Sequence, residues 1–172
     1  MTQRQFPRFD ETTAPAPAAR EALLSSKRAF GALPEPLARY ASSPVMLSLA
    51  LAGLDAFEKS SLAPLEREVL AMTMGRRNAC HFCLNLHRRM LTAQRAPAEL
   101  IDELAAGGSL TEPRLEALRR FVLALLDERG DVSSQAWSDF REAGYSHEQA
   151  LDVVTGVSVY TLTTLANRLI EV

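Results

Sequence analysis

Apolar residues at helical spacing are the feature that most constrains the fold of this chain. From Arg20 onward they recur three or four residues apart, as they do along one face of an α-helix. No segment combines sustained apolar and polar alternation with the glycine or Asn-Gly turns that a half-buried strand would need. The pattern therefore predicts an all-α fold.

Proline, glycine and capping residues divide this pattern into separate helices. The predicted ranges are roughly 19–30, 37–41, 43–59, 64–77, 79–94, 97–106, 115–129, 133–143 and a last helix that opens with a capping box at Ser146 and Gln149. The last segment is rich in Val and Thr, which favour strands. We predict a helix there because its aliphatic residues follow one approximate helical face. They are Leu151, Val154, Val157, Leu162, Leu165 and Leu169.

Length and charge limit the classes of function. The 172 residues suit one domain that can bury an apolar core without metal or disulfide staples. A formal net charge of -2 gives no broad positive field, so we expect no binding to nucleic acid or to a membrane surface. The polar segment from Met1 to Asp10 lacks the apolar run of a secretory signal, and no stretch is long enough to cross a membrane. We therefore predict a cytoplasmic protein.

The first residues differ in composition from the rest of the chain. Thr12 to Ala18 is rich in proline and alanine, which favours an extended conformation over a helix. We therefore predict an extended N-terminal arm over residues 1–18 and a single all-helical domain over residues 19–172.

Both cysteines of the chain lie in one CxxC motif, at Cys80 and Cys83. In a reducing compartment such a pair is more often redox-active or metal-binding than structural. On a helix beginning near Ala79, residues three apart are neighbours at about 5 to 6 Å, a separation that a disulfide accepts. The pair can therefore switch between dithiol and disulfide, and the free N–H groups of the first turn favour a thiolate at Cys80.

His87 and Glu68 are the candidate acid–base partners of this motif. His87 lies four residues beyond Cys83, one helical turn away on the same face, which makes it the natural base for Cys83. Glu68 belongs to the preceding helix and comes level with His87 if the two helices form an antiparallel hairpin. A carboxylate on one imidazole nitrogen fixes the tautomer and raises the basicity of the other nitrogen. The pattern thus predicts a proton relay from Glu68 through His87 to Cys83.

Together these residues resemble the signature of a known family. Glu68, eleven intervening residues, the CHFC sequence of residues 80–83, three further residues and then His87 are similar to the motif of the alkylhydroperoxidase D branch of the carboxymuconolactone decarboxylase-like proteins. The resemblance extends over about residues 31–94, including the lead-in from Gly31 to Pro44.

This resemblance implies an alkylhydroperoxidase D-like helical bundle with the CxxC at a helix N-terminus, assembled as a homo-oligomer, a trimer or hexamer. It implies a thiol-dependent peroxidase of peroxiredoxin-type activity in antioxidant defence. In the family, the cysteine matching Cys83 attacks the peroxide and the one matching Cys80 resolves the sulfenic acid as a disulfide. The residues matching Glu68 and His87 relay the proton. An external dithiol or protein reductant reopens the disulfide, and no cofactor or metal is needed.

The chain departs from the family pattern at one position. The best-known alkylhydroperoxidase D proteins have an additional relay histidine just before the second cysteine, where this chain has Phe82. His81 is displaced by one residue and is predicted to turn towards the polar side of the helix, so we expect a simpler or slower relay. An apolar lining by Leu84, Met90 and Leu91 favours an organic hydroperoxide as substrate over hydrogen peroxide.

Three other functions are compatible with the same residues. Two thiolates, the imidazole of His87 and the carboxylate of Glu68 could bind Zn²⁺. The cysteine pair could also act as a redox-sensing module that does not turn over, or be inert in the core. The family's decarboxylase relatives suggest a lactone decarboxylase, although the CxxC has no purpose in that acid–base chemistry.

Overall fold

The computed structural model describes residues 5–172, and these residues contain nine α-helices. In chain order the helices are α1 (Pro17–Phe30), α2 (Glu35–Tyr40), α3 (Pro44–Glu58), α4 (Pro64–Arg77), α5 (His81–Ala93), α6 (Ala98–Ala106), α7 (Pro113–Asp127), α8 (Ser134–Glu142) and α9 (His147–Leu169). Within residues 5–172 there is no strand. The prediction of an all-α fold is therefore confirmed.

Helix α4 is the centre of the bundle. It packs against α5, α6, α7 and α9, and every residue from Val69 to Gly75 is buried. The buried part of α4 has no solvent face for polar residues. A charged side chain there, such as that of Glu68, therefore needs a partner inside the protein.

The last helix, α9, is continuous over its 23 residues and opens with the predicted capping box of Ser146 and Gln149. The helix prediction is confirmed, but most of the aliphatic face that supported it lies on the outside. Leu151 is 70% exposed and Leu165 is 55% exposed.

The buried face of α9 consists mainly of small and β-branched residues together with Tyr160 and Asn167, and the helix packs very closely against α3 and α4. A Cβ atom at Gly156 would meet the Phe57 ring at 2.5 Å and Leu70 at 2.9 Å. Glycine is therefore required at this crossing. The other buried residues of α9 are Ala150, Val153, Val157, Val159, Tyr160, Thr163, Thr164 and Asn167.

Two hydrophobic clusters fill the interior. The larger cluster lies around α4 and α7 and includes Phe57 of α3 and Val153 of α9. The smaller cluster joins α1 and α2 to Leu47 of α3 and to Ile170 just beyond α9. Helices α3 and α9 therefore run through both clusters in opposite directions and connect them.

Helix α3 contains the most apolar stretch of the sequence, from Val45 to Ala56. It is 15 residues long and buries Leu47, Ala50 and Phe57 against the other helices. None of the helices in residues 5–172 combines the length and the apolar character needed to cross a membrane.

Residues 5–16, which precede α1, pack onto the smaller cluster. The Phe9 amide donates to the Ala38 carbonyl at 2.9 Å, and Ala14 is fully buried. Helix α1 begins at Pro17, two residues before the predicted start of the helical domain. The first four residues of the predicted arm lie outside the described part of the chain, and the division into an arm and a domain stays a prediction.

Candidate active site

A tight turn between α4 and α5 holds the CxxC motif. Asn78 follows the last residue of α4 and ends that helix. Ala79 has a φ of 50°, in the left-handed region, and redirects the chain. Cys80 then becomes the N-cap of α5, because its sulfur accepts a hydrogen bond from the Cys83 amide at 3.3 Å.

Cys80 and Cys83 are joined by a disulfide, with their Cα atoms 5.3 Å apart. Both residues are buried, at 1% and 4% exposure. Gly75 of α4 faces this pair, and a Cβ atom there would lie 3.4 Å from the Cβ of Cys83. The small residue thus lets α4 and α5 approach each other at the cysteines, which are enclosed by protein on this side.

The structure brings Glu68 and His87 together. Glu68 Oε2 lies 2.8 Å from His87 Nδ1, and both side chains are buried. A carboxylate can only accept, so the Nδ1–H group of His87 donates to it and the tautomer is fixed. The ring of Tyr160 from α9 packs edge-on against the imidazole, with a centroid distance of 5.3 Å. The imidazole is therefore held between the carboxylate of α4 and the tyrosine ring of α9.

The second ring nitrogen of His87, Nε2, accepts no hydrogen bond from any residue between 5 and 172. It belongs to a side chain one helical turn beyond Cys83 on the same helix. A free imidazole nitrogen beside a buried carboxylate can take up and release a proton. The arrangement can therefore move a proton close to the cysteine pair.

Two functional candidates were not found from the sequence, Asn167 of α9 and Tyr40 of α2. The Asn167 amide nitrogen lies 3.3 Å from the Cys83 sulfur and 3.7 Å from the Cys80 sulfur. The Tyr40 hydroxyl donates to the Asn167 side-chain oxygen at 2.5 Å, and the Thr163 carbonyl oxygen lies further away, at 3.0 Å. Only the folded chain reveals these contacts, because Asn167 and Tyr40 lie 127 positions apart in the sequence.

Burial keeps the Tyr40 hydroxyl in its protonated form. The residue is 4% exposed, and removal from solvent raises the pKa of its hydroxyl. A neutral hydroxyl remains a hydrogen-bond donor over the whole physiological pH range. The oxygen of Asn167 therefore has a permanent donor.

The C-terminal half of α9 also holds the turn that carries the cysteines. The Asn78 side-chain amide donates to the Thr164 hydroxyl at 2.8 Å. The Arg168 guanidinium donates to the carbonyls of Asn78 and Ala79, each at 3.2 Å. These carbonyls lie at and beyond the end of α4, where no helical partner is available. The long last helix thus fixes the position of a turn far earlier in the chain.

The remaining side chains near the motif have different environments. His81 is exposed, and Phe82 is half-buried. The predicted apolar lining of Leu84, Met90 and Leu91 is not one surface: Leu91 is fully enclosed in the larger cluster, whereas Met90 is 37% exposed. The side chain of Leu91 lies in the core, on the helix that packs against α4 and α6. It cannot line a substrate site.

The described part of the chain contains no set of ligands for a metal ion. Within residues 5–172 no three histidine, cysteine, aspartate or glutamate side chains are grouped as a metal ion would require. A zinc site needs about four such donors around one point. The observed arrangement is a disulfide beside a hydrogen-bonded carboxylate and imidazole.

Comparisons with known proteins agree with this geometry. Residues 46–126 match the family model of the Carboxymuconolactone decarboxylase family. A crystal structure from Ralstonia eutropha JMP134, described as an alkylhydroperoxidase AhpD core and an uncharacterized peroxidase-related protein, has a TM-score of 0.83 and 20% identity over 98% of this chain and 90% of that chain. An uncharacterized peroxidase-related protein from Silicibacter sp. TM1040 has a TM-score of 0.76 and 18% identity, covering 98% of this chain and 92% of that chain.

Among curated proteins no sequence matches this chain significantly. The structural likenesses are below 25% identity and establish the fold, whereas the family match includes the CxxC motif and both acid–base residues. The resemblance recognised in the sequence is confirmed: the chain matches the carboxymuconolactone decarboxylase family over residues 46–126 and has the fold of the alkylhydroperoxidase AhpD core.

Proposed function

We propose that this protein is a thiol-dependent peroxidase in which Cys83 attacks the peroxide, Cys80 resolves the product, and Glu68 and His87 relay the proton. The observation that carries the proposal is the buried disulfide beside the Glu68–His87 pair, whose Oε2 and Nδ1 atoms are 2.8 Å apart. A redox couple and a proton carrier are the two components that peroxide reduction by a thiol requires.

In the first step the Cys83 thiolate attacks the terminal oxygen of a hydroperoxide, ROOH. A sulfur–oxygen bond forms and the oxygen–oxygen bond breaks, which gives Cys83 sulfenic acid and the alkoxide RO⁻. His87 supplies the proton that converts RO⁻ into the alcohol ROH, and Glu68 stabilises the imidazolium form that precedes this transfer. Sulfur is oxidised by two electrons, and the peroxide is reduced by two.

In the second step the Cys80 thiol attacks the sulfenic sulfur, which releases water and forms the Cys80–Cys83 disulfide. The disulfide joins the N-cap and the first turn of α5, so the resolving cysteine needs no large movement. An external dithiol then reduces the disulfide and becomes oxidised itself. We expect the protein in the cytoplasm, where such reductants are abundant.

We further propose that the chain forms a homo-oligomer. Large aliphatic side chains are exposed on neighbouring helices, with Val45 at 77% and Leu49 at 57% on α3, and Leu165 at 55% on α9. Helices α3 and α9 pack against each other, so the exposed side chains lie on neighbouring helices. Sedimentation of the purified protein tests the proposal, because Leu49→Lys and Leu165→Lys should lower the measured mass.

The test of function is turnover of an organic hydroperoxide with dithiothreitol as the reductant. Cys83→Ser should abolish turnover, and His87→Asn should lower kcat/KM by about 10² to 10⁴ because the proton carrier is lost. His81→Asn is the matched control, since His81 is an exposed histidine of the same motif and should give wild-type rates.

Two results would contradict the peroxidase proposal. Full turnover by Cys83→Ser would show that this sulfur is not the nucleophile. Stoichiometric loss of two thiols without repeated turnover would instead identify a redox-sensing module, which oxidises once and waits for a separate reductase.

A further inference from the structure

We propose that Asn167 is a further catalytic residue, whose side-chain amide binds the Cys83 sulfur, and that Tyr40 is the positioning residue that orients this amide. The inference rests on the proposed peroxidase function and deepens it, because it assigns what makes Cys83 the attacking cysteine. Neither residue belongs to the CxxC motif or to the Glu68–His87 pair.

The contacts of Asn167 distinguish the two sulfurs. Its amide nitrogen donates to both sulfurs, with the shorter distance of 3.3 Å to Cys83 and the longer distance of 3.7 Å to Cys80. Asn167 is 3% exposed, so water does not compete for the amide. A buried side-chain amide of this kind normally has hydrogen-bond partners for its polar atoms.

Tyr40 determines which end of the carboxamide faces the sulfurs. The hydroxyl lies 2.5 Å from the Asn167 side-chain oxygen and 3.0 Å from the Thr163 carbonyl oxygen. A carbonyl oxygen can only accept, and a tyrosine hydroxyl has a single hydrogen to offer its neighbours. The hydroxyl lies closer to the Asn167 oxygen than to the Thr163 carbonyl, so its hydrogen points to Asn167, and the amide N–H groups of Asn167 are left to face the cysteines.

The two cysteines differ in their donors. Cys80 at the N-cap accepts from the backbone amide of Cys83 and, at the longer distance, from Asn167, whereas the side chain of Asn167 is the donor that Cys83 has. A helix N-terminus alone would favour the thiolate at Cys80. The Asn167 amide stabilises the thiolate form of Cys83, because hydrogen bonds to a charged acceptor are stronger than those to a neutral one.

This donor differs from the Glu68–His87 pair in that it does not titrate. Asn167 stabilises negative charge on the sulfur without giving up a proton, so the donor itself is present at every pH. The proton that completes the first step still comes from His87. Asn167 acts on the thiolate before attack, and no atom is transferred to or from it.

The test is the pH dependence of Cys83 alkylation by iodoacetamide in the reduced, full-length protein. The Cys80→Ser background leaves one reactive thiol and retains an N-cap residue of preferred type. Asn167→Ala should raise the pH midpoint of the alkylation rate by about one unit, the loss of one hydrogen bond to a charged sulfur. Tyr40→Phe should raise the midpoint by less, because the amide is still present but no longer held.

The matched control is Asn85→Ala, which removes an exposed asparagine from the same helix as Cys83 and should leave the midpoint unchanged. If Asn167→Ala does not fold, Asn167→Leu and Tyr40→Phe carry the test, since both retain most of the buried volume. Wild-type midpoints in the folded Asn167 and Tyr40 variants would overturn the assignment.

Alkylation needs no peroxide, which separates this inference from the proposed function. A shifted midpoint in a protein without peroxide turnover would support Asn167 and contradict the peroxidase. An unshifted midpoint in an active peroxidase would contradict Asn167 alone.

Discussion

The two hydrophobic clusters contribute chemically different neighbours to the disulfide. Beside the larger cluster lies Glu68 with His87, a pair that can carry charge and exchange a proton. The smaller cluster contributes Tyr40, which binds Asn167 and cannot change charge near neutral pH. In the proposed mechanism the two sides have different tasks, because the first moves protons and the second holds the sulfur. It also makes the N-terminal helices part of the site.

The largest expected effect concerns whether the clusters are one cooperative unit. Leu118 lies in the larger cluster and Leu23 in the smaller, and both are fully buried. Leu118→Ala and Leu23→Ala should each lower the free energy of unfolding by about 2 to 5 kcal/mol through lost burial and a cavity. We expect one transition in urea for each variant, because α3 and α9 run through both clusters. Two separate transitions in one variant would show that the two clusters unfold independently.

The second prediction concerns the charged pair. Glu68→Gln retains the shape of the side chain and removes its charge, so His87 loses the carboxylate that stabilises its imidazolium form. We expect kcat/KM for an organic hydroperoxide to fall by about 10²-fold. The control is Glu99→Gln, at an exposed position on α6. Wild-type kinetics in Glu68→Gln would show that the charge of the pair has no part in turnover.

Local spacing explains which half of this site can be predicted from the sequence. Glu68 and His87 are 19 positions apart on two adjacent helices, so helical geometry and one turn are enough to bring them together. Asn167 reaches the cysteines only through the packing of α9 on α3 and α4, across 84 positions. Periodicity identified α9 as a helix, yet Leu151, Leu165 and Leu169 of its pattern are exposed while Gly156 and Asn167 are buried. Periodicity cannot identify the buried face when small residues form the closest contact.

The third prediction uses the tyrosines of both clusters. Burial raises the pKa of each of the three tyrosines in the chain, and Tyr40 lies in the smaller cluster while Tyr145 and Tyr160 lie in the larger. An unfolded tyrosine ionises near pH 10, whereas the buried hydroxyls remain protonated there. Their contribution to stability is complete below that pH and is lost as the pH rises above it, by about 1 kcal/mol for each at pH 11.

Urea unfolding of the disulfide-bonded protein at pH 9, 10 and 11 measures this loss. Tyr40→Phe and Tyr145→Phe should each remove about one third of the decline, which would show that the two clusters exclude water equally well. An undiminished decline in Tyr40→Phe would mean that water reaches the smaller cluster.

The smallest expected effect concerns the turn between α4 and α5, which leads into the CxxC motif. Ala79 has a φ of 50°, which an L-residue other than glycine adopts at a cost. Ala79→Gly should therefore raise the free energy of unfolding by about 0.5 kcal/mol. This net gain is what remains of the relieved backbone strain once the added entropy of glycine in the unfolded chain is subtracted. Arg129→Gly, at a φ of 56° far from the site, should give a similar gain. A loss of stability in Ala79→Gly alone would indicate that the side chain at this turn contributes to the site.

The long sequence separation between Asn167 and the cysteines has a consequence for the order of folding. The α4–α5 hairpin is local and can form early, whereas contacts across 84 positions require a costly loop closure. Until α9 docks, the CxxC motif lies at the end of a formed hairpin without its cover and is open to any oxidant or thiol in solution. Pulsed alkylation of the reduced chain during refolding should therefore find the cysteines becoming protected in the same kinetic phase in which α9 packs.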